Sequence, residues 1–382
     1  MAGPRSGSEI GNNAGPLGRS RERKGFNVAD FKLGFGFYHH MLADDTLRFA
    51  RQCGATHAVA HLVDYFGSGT SKTVNQPVGN RSGWGAAGGS DERWTLPALK
   101  ALRTRFEDAG LTLAAIENFD PAHWHDILLG GPRRDEQIEA IQRIIRNLGD
   151  AGIPVMGYNF SLAGVAGRVT GPFARGGATS VGMEGSDDSP IPNGTVWNMV
   201  YDADAPAGTQ PRIDHDELWS RLEYFLKAVL PVAEDAGVRL AAHPDDPPVA
   251  VLRQTPRLVY QPDMYQRLID IHRSPSNALE FCLGSVAEMT EGDIYETTRR
   301  HAQAGDIAYI HFRNVVGKVP HYRETFVDDG EIDMARIVVI LQEGGFDGVI
   351  IPDHTPLMSC DAPWHSGMSF AMGYMRALQK LL

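Results

Sequence analysis

The amino-acid sequence predicts an α/β protein folded as a (β/α)₈ (TIM) barrel, with long loop excursions over the C-terminal face of the barrel. Eight short apolar runs alternate with segments of helical character, and glycine or proline follows most of them. Polar side chains stand at the carboxyl end of nearly every apolar run. A closed barrel brings those ends to one point. An open doubly wound sheet would need a Gly-rich phosphate turn after an early strand, and no GxGxxG follows a strand here.

The first half of the chain shows the alternation in its helix signals. Residues 44–53 carry acidic side chains first and basic ones later, as the helix dipole favours, and Gly54 follows them. Thr95 is expected to cap a helix over 97–109. Residues 134–151 place isoleucine and leucine at helical spacing, and Gly152 and Pro154 end the pattern. The predicted strands between these helices cover residues 32–38, 57–62, 111–118 and 155–160.

The second half repeats the pattern after an irregular stretch. A helix is predicted from Asp214 or Asp216 to residue 236, and further helices over residues 262–272, 291–304, 333–343 and 367–382. The last four strands are predicted to begin the stretches 239–248, 278–285, 309–315 and 349–354.

The domain organisation follows from composition. Residues 1–30 contain no apolar run and no secretory pattern, so they are predicted to be a disordered tail or a contact with a neighbouring subunit. Residues 31–382 are predicted to form one barrel domain. Residues 68–90 predict a long loop. Residues 161–212 lack the apolar content for a core of their own and predict an excursion over the barrel mouth, with one strand-like run at 196–201.

Charge and cysteine content exclude several classes of protein. The 382 residues carry a formal net charge of −11 at pH 7, which argues against a nucleic-acid-binding surface. No apolar run approaches the roughly 18 residues that a membrane-spanning helix needs. The cysteines Cys53, Cys282 and Cys360 are too scattered for a disulfide framework, so we expect a reduced, cytoplasmic compartment. A homo-oligomer is expected.

The last four predicted strands each end on a metal-ligand type: His243, Cys282, His311 and Asp353. Roughly thirty to forty residues separate them, the length of one strand, loop and helix. This pattern predicts a mixed N, S and O metal site that Zn²⁺, Fe²⁺ or Mn²⁺ could occupy. Asp353 and His354 are adjacent and cannot both face one centre from a regular strand. We assign Asp353 to the metal and His354 to the substrate, and the opposite assignment stays open.

Other polar residues also follow the strands and are expected at the barrel mouth. They are His39, His40, His61, Asp64, Glu117, Asn118, Tyr158, Asn159, Asp245, Asp246, Arg313 and Asn314.

Several motifs between about residues 120 and 353 carry a resemblance to a known family. They include HPDDPP at 243–248, HFRNV at 311–315, FVDDGEIDM at 326–334 and PDH at 352–354, of which HPDDPP and HFRNV are the more specific. With them the sequence resembles the metal-dependent mannonate dehydratases, a branch of the xylose-isomerase-like barrels. The resemblance implies one divalent ion, Mn²⁺ in the first place, on the residues matching His243, Cys282, His311 and Asp353. It also implies loss of water from an aldonic acid such as D-mannonate to give a 2-keto-3-deoxy acid.

The sequence departs from the family pattern at three places. Ile351 stands where the family usually has an arginine, and the family's loop tyrosine falls near Ala371, with Tyr374 and His365 close by. The first strand ends in an unexpected Tyr-His-His at 38–40. These departures favour a related reaction on a different substrate, or an altered outcome.

The dehydration needs a base for the proton next to the carboxylate and an acid for the leaving hydroxyl. His354 is the first candidate for one role, and His365, Tyr374 and His39 compete for the other. Arg313 is expected to grip the substrate carboxylate, with Asn159 and Arg175 as further substrate contacts.

Other functions remain open on the sequence alone. A metal-dependent sugar isomerase or epimerase of the same barrel type would share the proton abstraction without expelling water. A sugar-acid-binding protein that kept the pocket would catalyse no reaction. A barrel whose histidines are only structural would also catalyse none.

Overall fold

A computed structural model describes residues 1, 3, 31–65, 84–88 and 91–382. Within these residues, eight parallel strands form a closed barrel in which each strand pairs with the next along the chain and the last pairs with the first. The strands are Lys32–Phe37 (β1), His57–His61 (β2), Thr112–Glu117 (β3), Val155–Tyr158 (β4), Arg239–Ala242 (β5), Asn277–Cys282 (β6), Ile307–His311 (β7) and Val349–Ile351 (β8). The predicted (β/α)₈ barrel is therefore confirmed. The predicted tail over residues 1–30 and most of the loop over 68–90 lie outside the described residues.

Helices follow the strands and pack around the barrel. They are Asp44–Gln52 (α1), Leu96–Asp108 (α2), Pro121–Leu129 (α3), Arg134–Ala151 (α4), His215–Ala236 (α5), Pro262–Ile271 (α6), Leu283–Glu288 (α7), Ile294–Ala304 (α8), Met334–Glu343 (α9) and Pro363–Leu381 (α10). Asp214 caps α5 by accepting a hydrogen bond from the Glu217 backbone nitrogen. Thr95 precedes α2 as predicted, but its hydroxyl donates to the Glu92 carbonyl and does not cap the helix. Among the described helices, none has the length and hydropathy that a membrane crossing requires.

Two helices escaped the sequence analysis. Helix α3 is short, and Trp124 interrupts it with non-helical backbone angles, which hides its period. Helix α7 starts directly after β6, which ends at Cys282 as predicted, but no helix was predicted at this point. The chain turns into a helix here because the Cys282 sulfur accepts a hydrogen bond from the Ser285 backbone nitrogen and thereby caps α7.

The excursion over the barrel mouth contains more strand than predicted. A four-stranded antiparallel sheet, here called the mouth sheet, joins Arg168–Ala174 and Ala178–Glu184 to the hairpin Val315–Lys318 and His321–Glu324. The sequence hid it because its halves lie far apart in the chain. The predicted strand-like run at 196–201 is instead part of a tight hairpin, Thr195–Val196 with Met199–Val200, whose turn residues have positive φ.

A small buried cluster draws on seven of the eight barrel strands. It includes Ala115, Ala241, Ala278 and Tyr309. Alternate residues of a strand share a face, so Tyr309 lies on the same side of β7 as His311. The Tyr309 hydroxyl donates to Glu117 at 3.3 Å, which joins this cluster to the polar groups at the strand ends.

This packing requires a glycine at position 157 in β4. A methyl group on Gly157 would collide with the Tyr309 hydroxyl and the Glu280 carboxylate. Gly157→Ala is expected to lower the free energy of unfolding by about 1–3 kcal/mol in urea denaturation. Gly36→Ala in β1 is the matched control, because its added methyl would meet Ile351 at an ordinary 3.5 Å. Equal stability of the two variants would contradict this packing.

Candidate metal centre and active site

Three of the four predicted metal ligands converge at the carboxyl ends of β5, β6 and β7. One ligand atom each from His243, Cys282 and His311 lie within 4.8 Å of one another. Asp353, the fourth, follows β8, and its Oδ2 lies 3.5 Å from His311 Nδ1. Asp353 has a φ of 56°, a left-handed conformation that is uncommon outside glycine and concentrates at functional sites.

Neighbouring groups orient two of the three converging side chains, His243 and Cys282. His243 Nδ1 lies 2.6 Å from the Pro244 carbonyl and donates to it, so Nε2 is the ring nitrogen left to face a cation. The Cys282 sulfur accepts hydrogen bonds from the Ser285 hydroxyl at 3.2 Å and from Arg313 Nη2 at 3.3 Å. Each side chain is thereby held in one orientation, as metal ligands usually are.

The electrostatics favour a thiolate. Burial raises the pKa of the Cys282 thiol, but the Arg313 charge and the nearby imidazoles of His243 and His311 outweigh it and bring that pKa well below its usual value. Burial opposes protonation of His243, yet its hydrogen bond to Cys282 and the charge of Glu280 raise its pKa to about 9. The anionic groups around the two imidazoles thus favour binding of a positive charge between them.

These residues fit a bound divalent cation. Both ring nitrogens of His311 are buried and make no well-formed hydrogen bond within the described structure. A set of two imidazoles, a thiolate and a carboxylate suits Zn²⁺, Fe²⁺ or Mn²⁺.

A second group of potential ligands shares His311. Atoms of Glu117, Glu280 and His311 also lie within 4.8 Å of one another. Sequence analysis did not single out Glu280 because it lies inside an apolar run. Its position two residues before Cys282 was the available signal, since alternate strand residues share a face.

A cavity opens beside the converging ligands. Among the described residues it is lined by Tyr38, His61, Tyr65, Trp84, Glu117, Asn118, Asn159, Val165, Arg168, Trp197, His243, Asp246, His311, Asp353 and His354. Tyr65, Trp84, Trp197 and Arg168 were not predicted as site residues, because they come from loops and from the mouth sheet. Their placement depends on contacts distant in sequence.

His354 faces this cavity together with Asp353. Its Nδ1 lies 2.9 Å from Glu324 Oε2, and its Nε2 lies 3.1 Å from Asp353 Oδ2. The expectation that Asp353 and His354 face different ways assumed a regular strand, but β8 ends at Ile351 and Asp353 has a positive φ, so both residues line the cavity.

Asn159 lines the cavity, but both ends of its amide have protein partners. Its Nδ2 donates to the Pro244 carbonyl at 3.2 Å, and its Oδ1 accepts a hydrogen bond from Trp197 Nε1, also at 3.2 Å. In this geometry Asn159 joins β4 to the mouth of the barrel.

Arg313, predicted to grip the substrate carboxylate, is not among the cavity-lining residues. It is buried and forms ion pairs with Glu324 at 2.8 Å, Glu288 at 2.9 Å and Asp246 at 3.1 Å. These acidic partners, with the Cys282 sulfur, occupy its guanidinium. The sequence could not predict this environment, because the position of a residue at a strand end does not reveal how many carboxylates surround it.

Three other predicted residues lie away from the cavity. Arg175 is half-exposed and donates hydrogen bonds to Asp328 at 3.2 Å. His365 packs on α10 with its ring 4.7 Å from that of Phe49 in α1. Tyr374, also on α10, is partly buried against the hydrophobic core. Because α10 packs against α1 and β1, the structure does not bring His365 or Tyr374 to the converging ligands.

Arg313 should be needed for stability. Arg313→Met is expected to lower the free energy of unfolding by about 3–5 kcal/mol, because it leaves buried carboxylates without their cation. Arg175→Met, which removes an exposed ion pair, should cost less than about 1 kcal/mol. Similar midpoints of thermal unfolding for the two variants would argue against the buried network.

Comparison with known proteins identifies similar chains. A family model described as D-mannonate dehydratase (UxuA) matches residues 86–181 and 208–381. A mannonate dehydratase of Streptococcus pneumoniae (strain 70585) is 32% identical over 279 residues, which cover 69% of this chain and 75% of the relative.

Solved structures agree with this match. The crystal structure of mannonate dehydratase from Streptococcus suis serotype2 superposes with a TM-score of 0.69 at 27% identity, covering 92% of this chain and 93% of that chain. An L-ribulose 3-epimerase structure covers 92% of this chain and 95% of its own, with a TM-score of 0.53 and 15% identity, a likeness of fold alone.

Proposed function

Since the chain belongs to the D-mannonate dehydratase family, we propose that it removes water from D-mannonate to give a 2-keto-3-deoxy acid. The observation that carries the proposal is the convergence of His243, Cys282 and His311, with Asp353 beside His311, at the edge of one cavity. All four lie within the segments that match the family.

We infer that these four residues hold one divalent ion, with Mn²⁺ as first choice and Fe²⁺ or Zn²⁺ as alternatives. When bound, such an ion acts as a Lewis acid that polarises the substrate carboxylate and stabilises negative charge next to it.

The residues beside the ligands supply proton transfer. His354 can donate to Glu324 and Asp353 together only when both its nitrogens carry protons, and in that form it is a proton donor for the leaving hydroxyl. His61 also lines the cavity, and burial lowers its pKa, so its ring is neutral near pH 7. Its Nδ1 has no hydrogen-bond partner in the described structure, which suits it as the base.

The reaction then balances without an external oxidant. His61 takes the proton from the carbon next to the carboxylate, the C3–O bond breaks, and the hydroxyl leaves as water with a proton from His354. The resulting enol takes up a proton at C3, releases the proton of its C2 hydroxyl to water, and becomes the 2-keto acid.

Removal of the metal should abolish the reaction. Protein treated with a chelator is expected to form no 2-keto-3-deoxy product from D-mannonate, and Mn²⁺ should restore it, as followed by mass spectrometry. Cys282→Ala should lose both product formation and most of the bound metal in elemental analysis, because one ligand is missing. Deuterium uptake from solvent into the acid without loss of water would support the isomerase alternative. Product formation indifferent to chelation would contradict the metal proposal.

His354 and His365 can be told apart by matched substitutions. His354→Gln is expected to lower kcat by roughly 10²- to 10⁴-fold with unchanged metal content, because a proton donor is lost. His365→Gln should leave kcat within about twofold, since His365 packs against Phe49 outside the cavity. The reverse ranking would return the catalytic role to His365.

A further inference from the structure

Four aromatic side chains form one side of the cavity, here called the aromatic wall: Tyr38, Tyr65, Trp84 and Trp197. Their rings contact one another. The ring centroids of Trp84 and Trp197 lie 5.4 Å apart, and Tyr65 lies 5.7 Å from Trp84 and 5.6 Å from Trp197. The wall is therefore one continuous surface.

Backbone hydrogen bonds hold this wall in place. The Trp84 nitrogen donates to the Asn198 carbonyl at 2.7 Å, and the Trp197 nitrogen donates to the Leu162 carbonyl at 2.7 Å. Trp197 has a φ of 51°, so the hairpin turn that presents its ring adopts a conformation uncommon for a tryptophan. Such a conformation persists only where the surrounding structure enforces it.

The aromatic wall faces the proposed chemistry. Tyr38 stacks on the ring of His61 with centroids 4.5 Å apart. His61 Nε2 lies 3.6 Å from Glu117, and Glu117 lies 3.3 Å from His311 Nε2. A substrate whose carboxylate end lies at His311 can therefore extend its other end toward the wall.

Trp84 lines the cavity and carries an unpaired hydrogen-bond donor. Its side chain is 6% exposed, and its indole nitrogen is buried without a hydrogen-bond partner in the described structure. An indole N–H can only donate, and burying it unpaired costs free energy. A ligand hydroxyl that accepts from Trp84 would remove that cost.

The whole aromatic wall lies outside the segments that match the family model. Those segments are 86–181 and 208–381, whereas the wall comes from residues 38, 65, 84 and 197. The proposed metal ligands and His354 lie inside them. The two sides of the cavity thus differ: one belongs to the matched part of the chain and the other does not.

We propose that the aromatic wall is the specificity-determining subsite for the distal end of the acid, with the Trp84 indole donating to its C5 or C6 hydroxyl. The C–H face of the sugar chain lies on the rings, and Trp84 supplies the hydrogen bond that a hydroxyl at this end accepts. This proposal rests on the proposed dehydration, since it places the carboxylate at the metal ligands. It assigns substrate selection to residues outside the family match.

The test compares Trp84→Phe with the wild-type protein on three acids: D-mannonate, 5-deoxy-D-mannonate and 6-deoxy-D-mannonate. Phenylalanine keeps a ring and removes the N–H. For D-mannonate, KM is expected to rise roughly tenfold with kcat within about twofold. For one of the two deoxy acids, the wild-type KM should already be raised, and Trp84→Phe should change it by less than about twofold.

Trp94→Phe is the matched control. The Trp94 indole nitrogen is also buried without a partner in the described structure, but Trp94 does not line the cavity. This variant should show wild-type KM for all three acids. An equal effect of Trp84→Phe on all three acids, or no effect on any, would overturn the subsite.

Failure of the subsite can be separated from failure of the reaction. Wild-type protein that does not convert D-mannonate contradicts the proposed function, and calorimetric Kd values for the same acids and variants then decide the subsite by the same pattern. If Trp84→Phe does not fold, equal wild-type KM values for the three acids overturn the subsite, and a roughly tenfold rise for one deoxy acid supports it.

Discussion

The pairing of β8 with both β7 and β1 closes the barrel, and the candidate site depends on that closure. The register of β8 is fixed on both sides: Lys32 of β1 pairs with Val349, and His311 of β7 pairs with Ile351. Across β6 and β7, Cys282 pairs directly with His311. Parallel strands in register place a thiol and an imidazole side by side, and closure brings them within reach of the groups at the ends of β1 and β2. An open sheet of the same strands would leave these ends apart.

Gathering so many acidic groups in one place has an electrostatic cost, which Arg313 offsets. Its guanidinium pairs with Asp246, Glu288 and Glu324 and also donates to the Cys282 sulfur. Glu324 belongs to the mouth sheet, and it also pairs with His354. The same carboxylate therefore links the loop excursion to the proposed proton donor, which explains why this excursion belongs to the site and not to a separate surface.

The strands and the four candidate ligands could be predicted because the signals are local. Residue type at a strand end and the spacing of one strand–helix unit suffice for His243, Cys282, His311 and Asp353. The mouth sheet could not be predicted, since its two halves are joined by pairs such as Tyr322 with Met183. Arg313 was assigned to the substrate for a similar reason: its partners Glu288 and Glu324 come from segments whose fold depends on distant contacts.

His365 and Tyr374 illustrate a different limit. Both were chosen because they lie near the position of the family's loop tyrosine. Whether they reach the cavity depends on where α10 packs. That helix lies against α9 and β1, and its Trp364 and His365 rings contact Phe49 in α1, so its side chains reach the core and not the cavity. His61, in contrast, was visible as a strand-end residue, but nothing local distinguished it from its neighbours His39 and His40.

The central claim is that His243, Cys282, His311 and Asp353 share one cation. X-ray absorption spectroscopy at the edge of the bound metal tests it most directly, because sulfur scatters differently from nitrogen and oxygen. We expect one sulfur neighbour together with imidazole nitrogens in the wild-type protein, and loss of the sulfur signal in Cys282→Ser. A shell of oxygen neighbours alone, unchanged by that substitution, would contradict it.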